Sequence, residues 1–245
     1  MLYLFAAREA LIRLLPPGLR LCEVGVQRGA FSRCLLATGP AALHLVDPWC
    51  HQPDPLYARD AANVADPAHE ACLAQVQAEF GADPRVHLHR GLSQHVLPSL
   101  PQGEFDMVYI DGNHGYQPVL DDLVLASRLI HRDGLLMGHD FCSHWRSRQG
   151  GFGVIGAVTE FCKATQAELF ALTCSAAATD HTDSFSTYVI APSPSAALRQ
   201  RLLAGLLESP VGMVELPTSV AGAYSHGVVA LADGRRRYLP SFVMG

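Results

Sequence analysis

The chain has 245 residues, 49% hydrophobic and 17% charged, with a formal net charge of −5, enough for one large α/β domain or two small ones. Its one basic run, Arg235 to Arg237, provides no broad footprint for a polyanion, so nucleic acid is not expected as a partner. Seven cysteines without a Cys-x-x-Cys pair speak against a disulfide framework and a structural zinc site and point to a reducing cytoplasm, while Lys163 as the only lysine leaves Schiff-base chemistry almost without a candidate.

In chain order, the first stretch, MLYLFAAREALIRLLPPG, lacks the basic start of a signal peptide, and Arg8, Glu9 and Arg13 interrupt it well short of a membrane span. It is predicted as an amphipathic helix stopped by Pro16, Pro17 and Gly18. From residue 19 short apolar runs alternate with helix-length amphipathic stretches, the pattern of βαβ units. Strands are expected at 19–26, 42–49, 86–91, 105–112, 134–141, 169–175 and 185–191, and helices at 30–38, 67–81, 93–99, 116–131 and 154–165. This predicts an α/β fold: a Rossmann-like, doubly wound, seven-stranded and mostly parallel sheet with helices on both faces. Residues 50–66 are a Pro- and Asp-rich connection longer than a compact fold needs, and such loops are more often lids or binding loops than plain connectors. Beyond Ala191 a further helix, SAALRQRLLAGLLES, precedes a β-hairpin turning at Asp233 and Gly234. The expected organisation is a domain over 1–191 with residues 192–245 packed on it as an appendage.

The first strand leads into a helix through EVGVQRGAFS, with Gly25 and Gly29 where the backbone turns tightly and can approach a ligand. The spacing is not Gly-x-Gly-x-x-Gly, which disfavours a nicotinamide or flavin enzyme. Asp47 ends the second strand 22 residues after Gly25, where a carboxylate can accept hydrogen bonds from ribose hydroxyls; the plainer alternative makes these residues turn formers and a cap. Acid, glycine turn and second acid together resemble the cofactor site of class I S-adenosylmethionine-dependent methyltransferases, over roughly residues 19–191. The resemblance implies S-adenosylmethionine held by Glu23, Gly25, Gly29, Ser32, Asp47 and Asp111. GLSQHVLPSL, residues 91–100, is similar to the G-x-S-Q segment of catechol O-methyltransferase-like enzymes, which makes Ser93 and Gln94 adenine contacts; Ser93 can also cap the helix that follows.

In an open parallel sheet ligands bind beyond the carboxyl ends of the strands, so DGNH after the fourth strand and GHDF after the fifth face one crevice. Asp111 and Asp140 can converge there, and two carboxylates in a cleft repel unless one is protonated or a hard cation such as Mg²⁺ joins them. D-G-x-H-x-Y with GHD after the next strand resembles the bacterial small-molecule O-methyltransferases that include the mycinamicin and macrocin sugar methyltransferases. The resemblance implies His114 as general base and a divalent cation, Mg²⁺ by analogy, on Asp111 and Asp140. His139 stands where that group has an acid; it either ligates, favouring a softer ion, or orients Asp140. Asp121 and Asp122 are expected on a solvated helix face, and His144, Trp145 and Arg146 are candidates for a substrate wall.

The expected activity is metal-assisted transfer of a methyl group to a hydroxyl of a small molecule, with no nucleic acid or membrane partner and a homo-oligomer left open. Its rivals are a metal-independent O- or N-methyltransferase and a protein that binds the cofactor without catalysis.

Overall fold

Apolar strand runs that alternate with helices carrying one apolar face dictate a sheet sandwiched between helices. A computed structural model describes residues 1–58, 60, 62–142, 152–174, 185–230, 232 and 236–242. All seven expected strands form: β2 (Arg20–Val24), β3 (Ala42–Asp47), β4 (Val86–Arg90), β5 (Phe105–Ile110), β6 (Ile130–Phe141), β7 (Glu168–Thr173) and β8 (Ser186–Ala191). Two short strands, β1 (Leu2–Leu4) and β9 (Met213–Glu215), extend the sheet to nine, in the order β4-β3-β2-β5-β6-β8-β7-β1-β9. Neighbours from β4 to β6 run parallel, as do β7 and β1. β8 is antiparallel to β6 and β7, and β9 to β1.

The sheet thus has nine strands, not seven, and the N-terminal stretch is not one helix. Leu2–Leu4 pair between β7 and β9, and the helix α1 is confined to Arg8–Ile12. Three residues are too few for a period of two to stand out, and the open sheet edge decides their conformation.

On one face lie α5 (Tyr116–Leu129) and α6 (Val154–Thr165). Val119, Leu123 and Ala126, spaced four and three apart, pack with Val158 and Phe161 against Val108 and Leu136. Burying each such large apolar side chain contributes about 1.5–3 kcal/mol. On the other face α1, α2 (Ala30–Leu36), α3 (Asp66–Phe80) and α7 (Ala197–Glu208) cover Leu21, Leu43, Leu45, Met107 and Tyr109. Between β4 and β5 a short helix α4 (Ser93–Val96) runs into a 3-10 turn, Leu97–Ser99.

The tail forms the expected helix α7 and an antiparallel hairpin of β10 (Tyr224–Ala230) and β11 (Arg236–Phe242). Tyr224 is buried, and its hydroxyl is hydrogen-bonded to Ser186 of β8, which ties the hairpin's base to the sheet. The turn at Asp233 and Gly234 lies outside the described residues. No disulfide joins any of the seven cysteines. Among the described residues no helix is long and apolar enough to cross a membrane.

Candidate functional site

The carboxyl ends of β2, β3, β5 and β6 open on one crevice, and the turn after β2 forms its floor. Gly25 has φ +89°, and a Cβ there would stand 2.0 Å from the Asp111 carbonyl oxygen. The turn therefore lies against the end of β5, which only glycine permits. Gly29 starts α2 with φ +73°, and a Cβ would meet the Phe80 ring at 2.5 Å. Beneath the turn the Ser32 hydroxyl donates to Glu23 Oε2 at 2.5 Å, both residues being buried. Burial pushes the Glu23 carboxyl up to about 8.

Asp47 holds the rim of the turn. Its Oδ2 accepts from the backbone N–H groups of Val26 (3.0 Å) and Gln27 (2.9 Å), and Oδ1 from that of Trp49 (2.7 Å). Gln27 and Trp49 both have positive φ, +50° and +40°, a conformation that costs free energy in a non-glycine residue and persists where neighbouring contacts enforce it. Burial raises the Asp47 pKa, and the three N–H groups oppose that rise.

The segment after β4 meets α5 and the 50–66 connection. Ser93 is hydrogen-bonded to Asp122 and Gln94 to Tyr57, which ends a 3-10 turn, Pro55–Tyr57. Asp122 is not solvated as expected but 4% exposed, and burial pushes its carboxyl up to about 7. It occupies the same helix face as Val119, Leu123 and Ala126. Asp121, the next position round the helix, is partly exposed and bonded to Gln117.

The chemistry-bearing residues gather at the ends of β5 and β6. His114 Nε2 lies 2.7 Å from Asp140 Oδ2, and its ring stacks on Phe152 at 4.4 Å. His139 Nδ1 lies 3.2 Å from Asp140 Oδ1 and 3.8 Å from Asp111 Oδ1. Consecutive strand residues normally point to opposite faces. Here β6 bulges against β8: Gly138 pairs with Tyr188 and Phe141 with Ser186, and Asp140 has φ +59°. The bulge brings His139 and Asp140 to the same cluster. Burial opposes a charge on His114, but the Asp140 carboxylate outweighs it and lifts the imidazole from 6.5 to about 9. Asp140 is held well below the carboxylate range by His114 and His139, against its own burial.

Arg8 of α1 closes the cluster. Its Nη1 donates to Asp111 Oδ2 at 2.8 Å and to the Tyr109 hydroxyl at 3.3 Å, with the guanidinium 4.5 Å above the Phe31 ring. Nothing in the sequence near Arg8 signals this role, whereas the spacing of Asp122 on α5 and the length of the 50–66 connection did carry a signal for Asp122 and Tyr57. With Asp111 Oδ2 on Arg8 and Asp140 Oδ2 on His114, the two Oδ1 atoms turn toward His139. One ligand atom from each of Asp111, His139 and Asp140 lies within 4.8 Å of the others, a set that fits one divalent ion with mixed oxygen and nitrogen ligands. His144, Trp145 and Arg146 lie outside the described residues.

Residues 22–141, from β2 to the end of β6, match the family described as a methyltransferase domain. Among solved structures of similar fold are the spermidine synthase of Thermotoga maritima and the N-methyltransferase NodS of Bradyrhizobium japonicum WM9. The first is 15% identical over 76% of this chain and 57% of its own, with a TM-score of 0.51. The second is 13% identical over 75% of this chain and 93% of its own, also at 0.51. The chain thus spans less than two thirds of the synthase, and at these identities the likeness is one of fold. No curated protein matches it in sequence. The fold is the Rossmann-like one of these structures, and the stretch that builds the crevice matches a methyltransferase domain.

Proposed function

We propose that the protein is an S-adenosylmethionine-dependent O-methyltransferase acting, with the help of a divalent ion, on a hydroxyl of a small molecule such as a sugar, a phenol or a natural product. The observation that carries this reading is the meeting of His114, Asp140, His139 and Asp111 at the strand ends beside the glycine turn. Gly25, Gly29, Asp47 and Asp111, with Glu23 and Ser32 beneath them, would hold the amino-acid and ribose parts of the cofactor, and Ser93 and Gln94 its adenine. When bound, the cofactor supplies an electrophilic methyl group on a sulfonium centre. Asp111, Asp140 and His139 would hold the ion, whose Lewis acidity would lower the pKa of the acceptor hydroxyl; the imidazole ligand would favour a softer ion than Mg²⁺. His114 directs Nε2 to Asp140, which leaves Nδ1 to accept the hydroxyl proton. Asp140 fixes the ring's orientation and stabilises the imidazolium formed, at the cost of keeping the ring protonated to higher pH. Arg8 holds Asp111 in place, and two residues of the 50–66 connection act at the crevice, Tyr57 through its bond with Gln94 and Asp60 through its charge on His114.

One observation favours a metal-independent variant of the same reaction: Arg8 and protonated His114 already balance the charges of Asp111 and Asp140. Calorimetric titration with S-adenosylmethionine, followed by release of S-adenosylhomocysteine from a panel of sugars, phenols and polyketide hydroxyls, tests the reading. Binding with turnover that falls on chelation by EDTA is expected. Full turnover in excess EDTA moves the protein to the metal-independent variant, and absence of cofactor binding rejects the proposal.

A further inference from the structure

Three of the chain's 12 histidines lie away from the crevice on one face of the sheet's free edge. His87 and His89 alternate along the edge strand β4, so both side chains leave the same face. His44 of the neighbouring β3 stands in register with His87. The His44 ring lies 4.6 Å from that of His87 and 5.1 Å from that of His89, nearly parallel to the latter. His44 Nδ1 and His89 Nε2 are 3.0 Å apart and share one proton. His44 precedes Asp47 by three strand residues, roughly 10 Å of rise, so the cluster is separate from the crevice.

We propose that His44, His87 and His89 form a binding site for a borderline divalent transition-metal ion, Zn²⁺ being the type case. The shared proton marks where the ion would sit. Two imidazole nitrogens on a tetrahedral ion at about 2.0–2.1 Å stand roughly 3.3 Å apart, so the existing spacing of 3.0 Å needs to open by only a few tenths of an ångström. His87 is exposed, and a turn of its free side chain brings a third nitrogen to the pair, with water completing the shell. Neutral imidazole is the ligating form, and the environment of the bonded pair favours it: burial, the other two rings and Arg20 push His44 down to about 4, and burial with His87 lowers His89. Arg20, the cation on this face, is paired with Glu104 at 3.2 Å, which offsets its repulsion of an ion. A purely nitrogen donor set selects Zn²⁺, Cu²⁺ or Ni²⁺ over Mg²⁺ or Ca²⁺.

The test is calorimetric titration of tag-free protein with ZnCl₂ in an Asp140→Asn background, which disables the crevice cluster, together with ¹⁵N spectra of the imidazoles. One Zn²⁺ per chain is expected, with the resonances of His44, His87 and His89 shifting together, and His89→Ala should weaken binding by at least about tenfold. His87→Ala, at an exposed position, should weaken binding while leaving the melting temperature of the metal-free protein unchanged. MgCl₂ should shift none of the three rings. No Zn²⁺ binding in the Asp140→Asn background, affinity in both histidine variants unchanged from that of the Asp140→Asn parent, or shifts confined to other rings would overturn the proposal and leave the three histidines as edge packing.

Discussion

Replacing Gly25 by alanine tests whether the turn after β2 and the end of β5 are built as one unit. The new Cβ would lie 2.0 Å from the Asp111 carbonyl oxygen, 2.4 Å from its carbonyl carbon and 2.7 Å from the Gly112 nitrogen, backbone atoms that no rotamer change can move aside. Two costs combine. A left-handed φ of +89° costs an L-residue about 1–2 kcal/mol, and forcing packed atoms apart costs a further 1–3 kcal/mol, roughly. Gly18 separates them, because it has φ +82° with nothing within 4 Å of a Cβ. Urea unfolding should show a loss of about 1–2 kcal/mol for Gly18→Ala and about 2–5 kcal/mol for Gly25→Ala. Only the second variant should lose affinity for S-adenosylmethionine in calorimetry, since only it displaces the Asp111 backbone. Equal destabilisation of the two, with cofactor affinity retained by Gly25→Ala, would refute the reasoning.

In EDTA-treated protein the His114 imidazole should titrate at about 9 by NMR. Because that pKa is raised above its unfolded value, the pair with Asp140 stabilises fully below about pH 6.5 and loses its contribution, roughly 3 kcal/mol, as pH rises through 9; a ring titrating at 6.5 would dissolve the pair. Asp47→Ala removes the acceptor for three backbone N–H groups and should cost about 2–4 kcal/mol in chemical denaturation. Unchanged stability would mean that the turn holds itself. Asp122 has a raised carboxyl pKa, so its burial penalty is absent below about 3.8 and complete above about 7. Asp122→Asn should therefore be more stable than wild type at pH 8, by about 2–4 kcal/mol, and equal to it near pH 4; a less stable variant at pH 8 contradicts this.

The strands from β2 to β8 other than β4 were legible because each contains a buried run of four or more residues, β4 because Val86 and Leu88 alternate with histidines, and α6 because its apolar positions recur at helical spacing. β1 and β9 were not, since three residues carry no readable period and owe their conformation to each other and to β7. In the site, the strand-end acids, the glycines and His114 could be placed from topology. Arg8 could not, because 103 residues separate it from Asp111 and no local pattern announces the contact. Asp122 was misplaced by its neighbour: an Asp-Asp pair reads as a solvated face, yet adjacent helix positions point about 100° apart, and the period of Val119, Leu123 and Ala126 puts Asp122 inside. The raised pKa of His114 depends on a bulge that no sequence pattern in GHDF marks.

β1 also sets an order of events during synthesis. Leu2–Leu4 take their hydrogen bonds from β7 and β9, whose residues begin at Glu168 and Met213. At about 5–20 residues per second on a ribosome, this strand waits roughly 10–40 s before its last partner exists. Arg8 is joined to it by only a few residues, so the guanidinium that pairs with Asp111 is made well before the strands that hold its neighbour β1 in the sheet. The crevice can therefore fold around its glycine turn before β9 is made, and the segment that carries Arg8 is held on both sides only when β1 meets β7 and β9.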